Sequence, residues 1–108
     1  MENKENMVTK GEDISDRLFN FAVKIIDLVN RLPKNPTGKH IAGQLLRCGT
    51  SPGSNYEEAR GGESRADFTH KLGIVLKELK ESRYWLKLIN TTRMVDSSKV
   101  VPLIEECG

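Results

Sequence analysis

Aromatic residues are scarce in this chain, at 6% of 108 residues, and cysteine, present twice, is scarcer still. A sheet sandwich draws its core from aromatic and β-branched side chains. Their shortage, set beside a charged fraction of 30%, favours amphipathic helices with solvated outer faces. Cys48 and Cys107 lie 59 positions apart with no CxxC pair and no histidine cluster nearby, which excludes a zinc or dithiol redox spacing. Cys48 falls on an apolar helical stripe and reads as a small buried hydrophobe. No apolar run approaches the roughly 18 residues of a membrane span. The opening MENKENMVTKGED also lacks the apolar core of a signal peptide, so a cytoplasmic protein without membrane contact is expected. Charge of one sign is not in excess: 17 Lys and Arg face 15 Asp and Glu, a formal +2, so bulk charge does not announce a nucleic-acid binder.

Catalytic signatures are missing as well. No Gly-rich phosphate loop, HExxH or GxSxG occurs, and His40 and His70, the only histidines, fall on separate elements. The densest polar stretch, NYEEARGGESRADF, interleaves Glu57, Glu58 and Glu63 with Arg60 and Arg65. Paired carboxylates can serve as acid and base or hold a divalent ion, which keeps a hydrolase as a distant reading, but the interleaved arginines make ion pairs and helix caps the simpler account. The expectation is a binding protein, with no catalytic residue, no cofactor and no metal.

What is present is helical periodicity. Residues 1–12 are polar and aperiodic and read as a disordered arm; 13–108 read as one helical domain. Leu18, Phe21, Ala22, Ile25, Leu28, Val29 and Leu32 recur at three- and four-residue steps, marking a first helix that runs to about Leu32. The breakers Pro33, Pro36 and Gly38 form a turn, with Thr37 as the expected cap of the second helix. Ile41, Leu45, Cys48, Pro52, Tyr56 and Ala59 fall on one line along that helix, with a kink expected between Gly49 and Gly53. Arg60, Gly61 and Gly62 end it. Ser64 followed by Asp67 opens a third helix, from about Arg65 to Met94. After Asp96, KVVPLIEECG begins a very short fourth helix that tolerates Pro102 only in its first turn.

The third helix carries most of the functional signal. Phe68, Leu72, Val75, Leu76, Leu79 and Leu86 form its expected core face. Ile74, Trp85 and Leu88 project well away from that face and form a second apolar surface, read either as contact with a further helix of the same chain or as a subunit interface. Lys77, Lys80, Arg83 and Lys87 make a basic strip, with Tyr84 beside it, on a side mostly turned away from Ile74, Trp85 and Leu88. Such a strip can follow a phosphate backbone, or it can be the ordinary solvent face of a helix, since Glu78 and Glu81 lie at adjacent positions.

The run QLLRCGTSPGSNYEEARGGESRADFTHKLGIVLKELKESRYWLKLI resembles the hallmark region of the four-helix bundle family of 23S ribosomal RNA intervening-sequence proteins, and the likeness extends from about Ile14 to Ile104. The resemblance implies an antiparallel up-and-down four-helix bundle, bacterial, often assembled as a pentamer, with no catalytic residue to carry over. A related group implied by it, the accessory proteins of diversity-generating retroelements, forms pentamers with basic surfaces that engage nucleic acid and a reverse transcriptase. Compared with that pattern the fourth helix here is short or truncated. Two functions follow: a homo-oligomer associated with structured RNA or DNA through repeated strips, or a protein-interaction scaffold without nucleic-acid binding.

Overall fold

The computed structural model describes residues 10–62 and 64–108, with side chains from Asp13 onward. Among the described residues four α-helices follow one another: α1 (Lys10–Val29), α2 (Pro36–Arg60), α3 (Arg65–Thr91) and α4 (Val101–Cys107). A single 3-10 turn (Ser97–Lys99) leads into α4. α2 packs against both α1 and α3, and α4 lies against α3 with a lighter contact to α1, giving an all-α up-and-down bundle. Of the expected N-terminal arm, residues 1–9 lie outside the described residues, whereas 10–12 already belong to α1.

The stripe of α1 does what its spacing predicts: Leu18, Phe21, Ile25 and Leu28 are buried, and Leu32 remains buried in the turn beyond. The cap of α2 differs from expectation. Asn35, not Thr37, takes that position, its side chain accepting a hydrogen bond from the Gly38 N–H at 2.8 Å. Pro36 decides this. Proline suits the first helical position, where its missing N–H is not needed, and it holds the preceding residue extended, so the cap must stand immediately before it. Gly38 is required there, because a Cβ at that position would fall 2.0 Å from the Pro33 carbonyl oxygen.

α2 runs unbroken through Pro52, which is fully buried. One of its glycines, Gly49, is a point of close approach to α1. A Cβ on Gly49 would meet Ile25 of α1 at 2.8 Å, and one on Gly53 would sit 3.6 Å from the Leu18 carbonyl oxygen. The absence of a side chain at Gly49 lets α1 settle onto α2, whereas Gly53 leaves only ordinary contact distance.

α3 begins as expected, with the Ser64 hydroxyl accepting from the Asp67 N–H at 3.0 Å. It ends at Thr91 rather than Met94. Arg93 takes a left-handed backbone (φ 58°), and the Met94 and Arg93 N–H groups return to the Ile89 and Asn90 carbonyls at 3.2 Å each. This is a Schellman closure with arginine where glycine is usual, which is why no residue type announced it. The core seam of α3 also differs. It passes through Leu72, Val75, Leu79, Ser82, Leu86 and Ile89, while Leu76 is 62% exposed and Phe68 is only half-buried. Ser82, wholly buried, sits in the seam by donating its hydroxyl to the Glu78 carbonyl at 2.9 Å, and this polar residue hid the true periodicity.

The main core joins Phe21, Ile25 and Leu28 of α1, Ile41, Leu45 and Cys48 of α2, Leu86 and Ile89 of α3, and Val100 and Leu103 at the start of α4. Pro102 lies in the first turn of α4, where it is tolerated. A second, smaller cluster of Leu18, Tyr56 and Val75 is built from α1, α2 and α3 alone. Beside it an open groove of about 160 Å³ is lined by Ile14, Arg17, Leu18, Phe21, Leu79 and Glu106.

Two stability measurements check this packing. Leu103, 4% exposed, should cost about 2–4 kcal/mol when changed to Ala and more when changed to Asp; unchanged denaturant midpoints would show that α4 contributes nothing to the core. Gly49→Ala should lower the melting temperature although alanine favours helix. Gly73→Ala, where a Cβ meets nothing within 4 Å, should raise stability by up to about 1 kcal/mol.

Candidate nucleic-acid interface

Helical spacing places Lys77, Lys80, Arg83 and Lys87 on the outer side of α3, and all four are exposed. Lys80, Arg83 and Lys87 line an open groove of about 400 Å³ together with Tyr84, Leu88 and Thr91. Tyr84 is 59% exposed. The sequence placed Leu88 away from the strip; instead it lies in the same groove, because residues four apart on a helix (Tyr84 and Leu88) are neighbours.

The acidic residues interleaved with the strip are engaged elsewhere. Arg47 of α2 donates from Nη1 to Glu78 Oε1 at 3.0 Å and from Nη2 to Glu81 Oε2 at 2.6 Å. Glu81 Oε2 also accepts from Trp85 Nε1 at 3.1 Å. Arg47 and then the indole N–H hold the Glu81 carboxyl below the usual glutamate value, and the same bond to Glu81 raises the Arg47 guanidinium. Among the described residues the remaining ion pairs are Lys71 with Glu58 and Arg31 with Asp27. Among the described residues none of the four strip cations takes part in an ion pair. Arg47 thus pulls two carboxylates to the α2 side of α3 and leaves the other side basic. The sequence showed the acids but not where they point, since their partner lies more than thirty residues away.

The three residues of the second apolar face separate in the structure. Trp85 and Leu88 are half-buried and pack against the chain's own main core, whereas Ile74, also half-buried, belongs to neither core cluster. Trp85 stands edge-on between His40 at 5.8 Å and Tyr84 at 5.1 Å between ring centroids. A different apolar stripe is more open: Phe19, Val23 and Ile26 on α1 are 68%, 50% and 46% exposed, and Leu46 of α2 is also exposed. Their four- and three-residue spacing was legible in the sequence but lay in the shadow of the stronger core stripe.

Around the α2–α3 junction, Glu58 takes the Lys71 ammonium at 2.6 Å and Asp67 closes the α3 cap, while Glu63 lies outside the described residues. Among the described residues no cluster of three or more His, Cys, Asp or Glu is placed to hold a metal ion. Burial raises the Cys48 thiol and pushes the Cys107 thiol up to about 12, so neither has the character of a nucleophile. No described helix is long and apolar enough to cross a membrane.

The family model of the 23S rRNA-intervening sequence proteins matches residues 12–108. The chain belongs to the 23S rRNA-intervening sequence protein family. The resemblance read from the QLLR to YWL region is therefore correct. Among solved structures, this 23S rRNA-intervening sequence protein is similar to a crystal structure of a protein of unknown function from the S23 ribosomal protein family of Bacteroides thetaiotaomicron. The two share 35% identity and a TM-score of 0.84, over 92% of this chain and 88% of the other. Comparison with curated proteins returns no match. Family membership supports the fold and leaves the chemistry to the surface.

The Arg47 clamp has a pH signature. Glu81 titrates lower in the folded chain than in the unfolded one, so its contribution to stability is complete above the ordinary glutamate value of 4.5 and is lost as pH falls through the depressed value. The difference in denaturation midpoint between wild type and Arg47→Gln should accordingly be full at neutral pH and shrink in acid. A difference independent of pH would show that the clamp is not ionic.

Proposed function

We propose that this protein acts without catalysis, as a cytoplasmic homo-oligomeric bundle that associates with structured nucleic acid through the basic strip of α3. One observation carries the reading: Glu78 and Glu81, the acids interleaved with the strip, are held by Arg47 at 3.0 and 2.6 Å, and among the described residues Lys77, Lys80, Arg83 and Lys87 form no ion pair. Cations at successive helical turns present a row of phosphate ligands. A single chain with about four phosphate contacts binds weakly, and its affinity falls roughly a hundredfold between 50 and 200 mM salt. Copies arranged in an oligomer, the pentamer implied by the family being the favoured form, multiply that affinity.

Self-association has its own support. Phe19, Val23 and Ile26 expose an apolar ridge along α1, whereas Trp85 and Leu88 are already occupied within the chain. The ridge is therefore a better contact for a second copy than the face of Ile74, Trp85 and Leu88. The same ridge favours the alternative function, a scaffold that docks a protein partner such as a reverse transcriptase and uses the strip only for solubility.

Light-scattering mass after size exclusion, with and without structured RNA and duplex DNA at two salt concentrations, separates the two. Under the proposal a multimer gains mass with nucleic acid at low salt and loses it at high salt. Lys80→Glu with Lys87→Glu abolishes that gain while leaving the multimer intact, and Val23→Glu reduces the multimer. A wild-type chain indifferent to nucleic acid at low salt would eliminate the proposal in favour of the scaffold.

A further inference from the structure

Tyr84 is the one exposed aromatic in the strip, and its surroundings show that it is more than a solvated helix residue. It belongs to neither core cluster and is 59% exposed, so the fold does not use it for burial. Yet its ring is positioned. Trp85 meets it nearly edge-to-face, at 78° and 5.1 Å, and Trp85 in turn meets His40 edge-on at 5.8 Å and donates from Nε1 to Glu81, which Arg47 holds. Lys80 precedes Tyr84 by one turn, Arg83 adjoins it and Lys87 follows by one turn; all line its groove, with Leu88 adding apolar surface. An exposed aromatic among cations is the arrangement that holds unpaired nucleotides, with the base stacked on the ring and the flanking phosphates on the cations.

Dimensions favour the same class of ligand. From Lys80 to Lys87 the helix rises only about 10 Å, a length suited to a few nucleotides and far short of a duplex turn of roughly 34 Å. Within intact duplex the base faces are already stacked on one another and offer nothing to Tyr84. Resting on the reading of the strip as a nucleic-acid surface, we infer that this groove binds unpaired nucleotides, in a single strand or loop, by stacking a base on Tyr84 while Lys80, Arg83 and Lys87 take the adjoining phosphates.

Fluorescence anisotropy on the full chain tests this with a labelled 12-nucleotide single strand, as RNA and as DNA, and with the same sequence closed in a blunt duplex. The single strand should bind at least about tenfold more tightly than the duplex. Tyr84→Ala should weaken single-strand binding between about fivefold and a hundredfold, with duplex binding and the salt slope unchanged, and Tyr84→Phe should restore it. Trp85, the only tryptophan, should change its emission on single-strand binding in the wild type and less in Tyr84→Ala. If strand and duplex bind alike and Tyr84→Ala affects neither, or both equally, the stacking inference is overturned while the strip reading survives. If the wild type binds neither form at low salt, the strip reading falls and the stacking inference with it.

Discussion

Gly49 admits the side chain of Ile25 to within less than 3 Å of where its own Cβ would lie, and the bundle is arranged around that approach of α1 to α2. With α1 seated there, Leu18, Phe21, Ile25 and Leu28 face α2, whose opposite flank is free to receive α3. α2 is therefore buried from two sides, which explains how it accommodates Pro52. A proline inside a helix forfeits one hydrogen bond and strains a turn, a cost of around 3 kcal/mol in isolation. Packing on two flanks offsets it, and the ring itself becomes core.

The same sandwiching sets the electrostatics. Because α3 lies against α2, Arg47 can span the interface and hold Glu78 and Glu81, sorting the charges of α3 by side. Judged as separate surface ion pairs, such contacts add little stability. Their consequence is spatial: the two carboxylates are drawn to one flank of α3, where one guanidinium offsets half their charge, and the other flank carries four cations and an exposed tyrosine. Net charge, only +2, says nothing of this, since it averages over the flanks. The indole of Trp85 extends the network from Glu81 to Tyr84, so the clamp that leaves the strip basic also steadies its aromatic.

At one end of the bundle Val100 and Leu103 complete the main core; at the other, Leu18, Tyr56 and Val75 are covered by three helices and border a groove where Ile14 remains 41% exposed. The exposed ridge of Phe19, Val23 and Ile26 also lies on α1. Apolar surface left open on one helix is where association with another chain gains most, because area removed from water is the dominant favourable term.

Much of this was legible in the residues alone. The all-α class, the core stripe of α1, the line from Ile41 to Ala59 and the Ser64 cap follow from spacing and residue type, because helical periodicity and capping are local properties of the chain, and the family was legible by resemblance. Where local signals conflicted, the sequence misled: Ser82 interrupted the core seam and drew Leu76 into it, and Arg93 closed α3 without a glycine to mark the place. The basic strip and Tyr84 were visible as a pattern, but whether Glu78 and Glu81 neutralise that pattern depends on Arg47, thirty-one and thirty-four residues earlier. Only the docking of α3 on α2 decided it. A charged side chain's partner is settled by which helices touch, and helix contacts are set by side-chain fit across the whole core rather than by any neighbouring stretch of sequence.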